Sequence, residues 1–95
     1  MVKLIWTDLA LNDLHAIGNY IAQNSERYAK FTVKKIYEKA EALKQFPKAG
    51  RIVPEKNDAD IRELIVGRYR IIYEIISEDL IHILFVHHSA RNLRV

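Results

Sequence analysis

Cysteine is absent from this 95-residue chain, and glycine and proline are scarce, with three and two residues respectively. The lack of cysteine excludes disulfides and thiolate metal sites and is typical of proteins of a reducing compartment. No apolar run approaches the ~20 residues of a membrane-spanning helix, which argues against a membrane protein. The opening segment from Met1 to Trp6 is too short and too soon polar for a secretory signal. We therefore expect a cytoplasmic protein without a membrane partner, built as one domain over residues 1–95.

Several familiar catalytic patterns are missing as well: a glycine-rich phosphate loop, a Ser–His–acid arrangement and a carboxylate pair at catalytic spacing. The composition is that of an ordinary globular domain, 49% hydrophobic and 28% charged, with a formal net charge of +3. A mild positive charge fits an acidic partner, either nucleic acid or an acidic protein segment, but it is also typical of a lysine-rich surface. The placement of the charges along the chain therefore has to distinguish an acidic partner from an ordinary lysine-rich surface.

The first half of the chain predicts a short strand followed by two helices. Residues 2–6 form a β-type run, after which Thr7 and later Ser25 stand where helix N-caps are expected. Apolar residues then recur at spacings of three and four, on one helical face each, in two series: Ala10, Leu14, Ile17, Ile21, and then Ala29, Val33, Ile36, Ala40, Leu43. Pro47 is expected to end the second helix. The short polar link between the two series predicts an antiparallel helical hairpin.

The second half predicts three strands, at residues 61–66, 69–76 and 80–88, joined by two-residue connections at 67–68 and 78–79. The predicted fold class is α+β: an N-terminal strand, a two-helix antiparallel hairpin, then a three-stranded antiparallel sheet with the helices packed on one face. The N-terminal strand is expected to pair within that sheet.

A two-residue turn at 78–79 fixes the pairing of the last two strands. It places residue 77 opposite residue 80, and each step away from the turn pairs the next residue of one strand with the next residue of the other. It places Arg70 opposite His87 and Tyr69 opposite His88, about 5 Å apart at Cβ. One face would carry Arg70, Ile72, Glu74, Ile76, Ile81, Ile83, Phe85 and His87. The other would carry Tyr69, Ile71, Tyr73, Ile75, His82, Leu84, Val86 and His88. Since two helices can cover only one of these apolar faces, we expect the other to be an exposed interaction surface.

Histidine and arginine are the residue types that could support chemistry here. Metal-independent RNA cleavage needs a base, an acid and cations for the developing phosphorane charge, and histidine and arginine supply these. The candidates are Arg62, Arg68, Arg70, His82, His87, His88 and Arg91. The adjacent histidines lack a third ligand at a natural spacing, so no metal site is predicted.

Each candidate also has a structural interpretation. Arg62 can form a surface ion pair with Glu63, and Arg70 a structural salt bridge with Glu74 or a helix carboxylate. His82, between apolar neighbours, is typical of a residue that fills a sheet. Tyr69 and Tyr73 are typical of packing residues with a solvated hydroxyl, although they could also stack on bases.

The order of short motifs along the chain resembles that of the RelE/ParE toxin superfamily over nearly its whole length. The motifs are Thr7, Asp13-Leu14, Ile17, Tyr20-Ile21, Phe46-Pro47, Gly50-Arg51, Arg62-Glu63-Leu64, Gly67-Arg68-Tyr69-Arg70-Ile71-Ile72-Tyr73, Val86-His87-His88 and Ala90-Arg91. The resemblance implies the same fold, no cofactor, and a cognate antitoxin that wraps the toxin with an acidic, apolar-studded segment in a hetero-oligomer. It implies one of two targets: RelE-like members cut mRNA in the ribosomal A site, whereas ParE-like members bind DNA gyrase.

The same resemblance implies site residues. For a RelE-like nuclease, the catalytic set is Arg70, His87, His88 and Arg91. For binding of a target or an antitoxin, the set is Arg62, Arg68, Tyr69, Arg70, Tyr73 and Arg91.

The chain departs from the RelE-like pattern in three ways. Arg91 matches only if a short gap is allowed, no tyrosine follows Tyr73, and residues 61–66 lack the lysine pair of some ribosome-dependent nucleases. These departures, with the Gly50-Arg51 and Arg62-Glu63-Leu64 elements, favour a ParE-like gyrase inhibitor. A RelE-like endoribonuclease and a degenerate toxin that only binds antitoxin remain the alternatives.

Overall fold

The computed structural model describes residues 2–89 and contains two helices on a five-stranded sheet. The strands are β1 (Lys3–Trp6), β2 (Arg51–Ile52), β3 (Ile61–Val66), β4 (Tyr69–Ser77) and β5 (Leu80–His88), and the helices are α1 (Asp8–Ala22) and α2 (Glu26–Glu41). Their order across the sheet is β1-β5-β4-β3-β2. The α+β class and the pairing of the first strand are confirmed. The sheet is mixed rather than antiparallel, since β1 runs parallel to β5, and the short strand β2 was not predicted.

Both helices begin at the predicted caps. The hydroxyl oxygen of Thr7 accepts a hydrogen bond from the amide of Ala10 at 3.1 Å, and that of Ser25 does the same for Tyr28 at 3.1 Å. The second helix ends at Glu41, earlier than Pro47 predicted, and a 3-10 turn over Ala42–Lys44 follows it. In the part of the chain that the structure describes, neither helix has the length and apolarity to cross a membrane.

The hydrophobic core lies between the helical hairpin and one face of the sheet. The helices contribute Ala10, Leu14, Ile36 and Ala40, and the 3-10 turn after α2 contributes Leu43. The sheet contributes Val66, Ile71, Tyr73, Ile81, Ile83 and Val86. The predicted apolar stripes of the helices are thus the ones that pack on the sheet.

The register of β4 and β5 is confirmed at one end and wrong in the middle. Arg70 lies opposite His87 and Tyr69 opposite His88, but the pairing shifts by one residue beyond Ile72. An extra residue in one strand of a pair resets the alternation of faces, as a β-bulge does. Ile81 and Ile83 therefore point into the core beneath the helices rather than to the face of Arg70. His82 lies opposite Glu74, on the face of Arg70.

The sheet face without helices is less exposed than expected. Ile72 and Val53 are fully buried although neither belongs to the core under the helices. The segment 53–60 begins at Val53, whose amide donates to the carbonyl of Ile61, and Glu55 in this segment contacts Arg70. Apolar side chains remain exposed elsewhere on this face, at Ile5 and Ile65.

Candidate functional site

The structure divides the predicted site residues between two environments. Arg62, Arg70 and Tyr73 make hydrogen bonds that hold the segments around β2, whereas Arg68, Tyr69, His87 and His88 line a groove beside the helical hairpin. Arg91 lies outside the described residues.

Tyr73 anchors the segment that connects the helices to β2. Its hydroxyl donates to the carbonyl of Pro47 at 2.8 Å and accepts from the amide of Gly50 at 2.9 Å. A Cβ atom on Gly50 would lie 2.5 Å from the carbonyl oxygen of Glu63 and 2.8 Å from the Tyr73 ring, so only glycine fits. Burial raises the pKa of Tyr73. Tyr73 thus belongs to the framework and presents no hydroxyl to a partner.

Arg62 is a second framework residue. Its Nε donates to the carbonyl of Ala59 and its Nη1 to the carbonyl of Gly50, both at 3.0 Å. These bonds tie both ends of the 50–60 segment to β3. An ion pair with Glu63 is not formed, because neighbouring residues of a strand point to opposite faces.

Arg70 lies at the centre of a buried ionic network on the face without helices. The exposed fractions of Arg70 and Glu63 are only 8% and 1%. Nε and Nη2 of Arg70 donate to Glu63, while Nη1 and Nη2 donate to the two carboxylate oxygens of Glu55 at 3.2 and 3.1 Å. The second oxygen of Glu63 accepts from Nε of Arg51. The salt bridge expected for Arg70 exists, with Glu63 and Glu55 in place of Glu74 or a helix carboxylate.

The charges of this network stabilise one another. The hydrogen bonds from Arg70 hold the pKa of Glu55 below its ordinary value, and the bonds to Glu55 raise the pKa of Arg70. Glu63 was missed as a site residue, although a carboxylate inside an apolar strand is itself a signal that a cation must lie beside it. Glu55 carries no comparable signal, because it stands in a polar stretch between Pro54 and Asp60.

The second environment is an open groove between the helical hairpin and the end of the sheet where β4 begins and β5 ends. Its helical wall exposes four large apolar side chains: Leu9, Tyr20, Tyr28 and Phe31. Its sheet wall carries Arg68, Tyr69, His87 and His88.

Aromatic and cationic side chains lie close to one another in the groove. The rings of Tyr28 and Phe31 stack with centroids 6.3 Å apart, and Nζ of Lys35 lies 5.8 Å from the Phe31 ring. Across the groove, Tyr69 meets His88 edge to face at 5.3 Å. An exposed apolar wall with a cationic rim is suited to an amphipathic, acidic protein segment.

The floor of the groove is held by Asp13 of α1, whose carboxylate accepts the backbone amide of Val86 at 3.0 Å. Val86 lies in the part of β5 that extends past its pairing with β1, so the carboxylate of Asp13 gives its amide a hydrogen-bond partner there. Within residues 2–89, no group of three or more histidine and acidic side chains is placed to hold a metal ion.

Comparison with known proteins assigns the chain to a family. Residues 4–93 match the family of the ParE toxin of the type II toxin-antitoxin system, parDE. The chain belongs to the ParE toxin family. A similar protein is Toxin RelE2 of Caulobacter vibrioides, 34% identical over 91 residues that cover 96% of this chain and 99% of that protein. A solved structure of a chromosomal ParDE TA system from P. aeruginosa has a TM-score of 0.75 and 25% identity, covering 93% of this chain and 96% of that chain.

The resemblance to the RelE/ParE superfamily that the motifs indicated is thereby confirmed, and so is a toxin of a type II toxin–antitoxin system. These names include both ParE and RelE, so membership of the family leaves the target open.

Proposed function

We propose that this chain inhibits growth as a ParE-like toxin, by binding DNA gyrase, and that a cognate antitoxin neutralises it. The burial of the Arg70 guanidinium and its pairing with carboxylates favour a gyrase-binding toxin over a nuclease. An arginine that stabilises a phosphorane must present its guanidinium to the substrate. Here that guanidinium is buried, and two carboxylates, Glu55 and Glu63, already occupy its donors.

The antitoxin is proposed to occupy the groove between the helical hairpin and the sheet end. The exposed side chains of Tyr28 and Phe31 supply apolar contact, and Lys35 and Arg68 supply positive charge at its rim. An acidic segment with apolar side chains at helical spacing fits both features. The match to a ParDE system supports such a hetero-oligomer.

Supercoiling by purified gyrase tests the target. We expect the chain to inhibit the reaction at saturating concentration, and its antitoxin to restore it. Expression of the toxin alone should induce the DNA-damage response before protein synthesis falls. Normal supercoiling at saturating toxin would exclude gyrase as the target.

The second candidate function is a ribosome-dependent mRNA endoribonuclease of RelE type. It is favoured by the name of the 34% identical relative, Toxin RelE2, and by the neighbouring His87 and His88 at the groove. A translating extract distinguishes it: the toxin should cleave ribosome-bound message, and His87→Ala or His88→Ala should reduce the cleavage. Arg70→Ala is a poor test, because it would leave the buried Glu63 with Arg51 as its remaining ionic partner and would destabilise the fold. A toxin that arrests neither process would match the degenerate alternative, which only binds antitoxin.

A further inference from the structure

The second helix and the segment after it hold most of the excess positive charge of the protein. Helix α2 contains five cationic and three acidic side chains. Over residues 26–48 there are seven cationic and three acidic side chains, an excess of four, whereas the whole chain has a net charge of +3. The rest of the chain is therefore close to neutral, and an anionic partner is attracted to this side of the molecule.

The cations of α2 form two rows along its exposed side. Arg27, Lys30 and Lys34 follow one another at spacings of three and four, which places them on one flank of the helix. Lys35 and Lys39, four residues apart, form the second row, which is rotated from the first by roughly 100° because successive helical residues are. Lys30 and Lys34 border the hollow between α1 and α2, whereas Lys35 borders the groove beside the sheet end. All five side chains are exposed.

The charges of the two rows are not neutralised within the protein. Among residues 2–89, none of these five cations forms an ion pair, and the carboxylate of Glu41 on the same helix pairs with Lys44 at 3.1 Å. A small anion could contact only one or two of the cations at a time. Two rows of unpaired cations along one helix therefore suit a partner that itself carries charges in rows, as the backbone of a nucleic acid does.

We propose that α2 binds in the major groove of duplex DNA, with its two rows of cations on the phosphates that border the groove. An α-helix with its side chains is about 10–12 Å across, and the major groove of B-form DNA, about 12 Å wide, admits one helix between two phosphate backbones. The major groove of duplex RNA is too narrow and deep for this. Because the rows contact phosphates, the binding is largely independent of base sequence.

The salt dependence of binding to a labelled DNA duplex of about two helical turns, followed by fluorescence anisotropy, tests the first row. Each lost phosphate contact lowers the slope of log K against log salt by about one. We expect the double variant Lys30→Gln/Lys34→Gln to bind more weakly and to lower that slope by about two. Lys3→Gln/Lys56→Gln is the matched control, since it removes the same charge from exposed positions outside α2. Equal slopes for the two double variants would overturn the proposal.

Three further measurements test the arrangement of the helix in the groove. Lys35→Gln/Lys39→Gln should lower the slope as much as the first double variant; an unchanged slope would exclude a helix flanked by phosphates on both sides. Glu38 lies between the rows, so Glu38→Gln should tighten binding, a gain that a damaged fold cannot produce. An RNA duplex of the same length should bind more weakly, and equal binding would overturn the assignment to the major groove of DNA. Because no gyrase is present, these measurements can fail independently of the proposed function.

Discussion

Tyr73 brings a hydroxyl into the core where two backbone groups of the 47–50 segment depend on it. Tyr73→Phe would leave the amide of Gly50 and the carbonyl of Pro47 without this partner, which costs about 1–3 kcal/mol for a buried group. We expect the free energy of unfolding in urea to fall by that amount. Tyr20→Phe, at a side chain exposed on α1, serves as the control and should leave stability unchanged. Equal stability of both variants would show that the two hydrogen bonds contribute nothing.

The same residue predicts a loss of stability at alkaline pH. Burial raises the pKa of Tyr73 in the folded state above that of an exposed tyrosine. Above about pH 10 the unfolded chain therefore releases a proton that the folded chain retains, and stability falls as the pH rises further. Urea unfolding between pH 8 and 11 should show this decline, and Tyr73→Phe should reduce its slope. An unchanged slope in the variant would assign the decline to other groups.

A side chain at position 50 should destabilise the fold through a steric clash rather than through a change in backbone flexibility. A methyl group there would meet the carbonyl oxygen of Glu63 in β3, and a backbone atom of the sheet cannot move aside cheaply. We expect Gly50→Ala to lower the free energy of unfolding by about 1–3 kcal/mol or more. Gly18→Ala is the comparison, since its nearest contact is a side-chain methyl of Val33 at 3.1 Å. A larger loss in Gly18→Ala than in Gly50→Ala would contradict the steric conflict with the Glu63 carbonyl oxygen.

At the scale of the elements, Thr7 joins the start of α1 to β5. Its hydroxyl oxygen accepts a hydrogen bond from the amide of Ala10. The hydroxyl group donates its one hydrogen toward two carbonyl oxygens of β5, that of Ile83 at 2.8 Å and that of Leu84 at 2.9 Å. Thr7→Val keeps the shape but removes both the cap and this link, and we expect a cost of about 2 kcal/mol. Ser25→Ala removes an exposed cap alone and should cost about 1 kcal/mol. Thermal unfolding of both variants tests the difference, and equal losses would mean that the link to β5 is without effect.

The elements also show what the sequence could predict. Helices and long strands follow from apolar periodicity and from caps such as Thr7 and Ser25, so they were located with their packed faces. The two-residue strand β2 is too short for any alternation to reveal it. The register shift beyond Ile72 leaves Leu84 of β5 as an extra residue, and both strands are too uniformly apolar there for alternation to reveal it. For that reason the two-residue turn predicts the wrong face of the sheet for His82.

Part of the candidate site was also predictable from the sequence. Arg70 was found because a motif pointed to it, and the pairing with His87 followed from the turn. Its burial beside Glu55 was not predictable, since the contact joins residues 15 apart through a polar segment without periodicity. The groove residues on the helices were also missed: Tyr28 and Phe31 lie off the apolar stripe of α2, and an exposed aromatic residue has meaning only once its neighbours are known.

At the scale of the whole molecule, the groove concentrates exposed aromatic side chains on a chain with a net charge of +3. A partner that binds only the folded toxin stabilises it by mass action. A partner that covers this surface would therefore raise the melting temperature of the toxin. Other exposed apolar side chains, such as Phe46, are the competing candidates for the place where the antitoxin binds.

Two phenylalanines allow that point to be tested. Phe31 lines the groove with 58% of its surface exposed, whereas Phe46 has 64% exposed and lies outside it. Because both are exposed, replacing either by alanine should hardly alter stability. Phe31→Ala should weaken antitoxin binding by about 1–3 kcal/mol, or roughly 5- to 150-fold in Kd, as removal of a central aromatic contact does. Phe46→Ala should leave the Kd unchanged in the same calorimetric titration. If both variants lose affinity equally, or only Phe46→Ala does, the antitoxin binds elsewhere on the toxin.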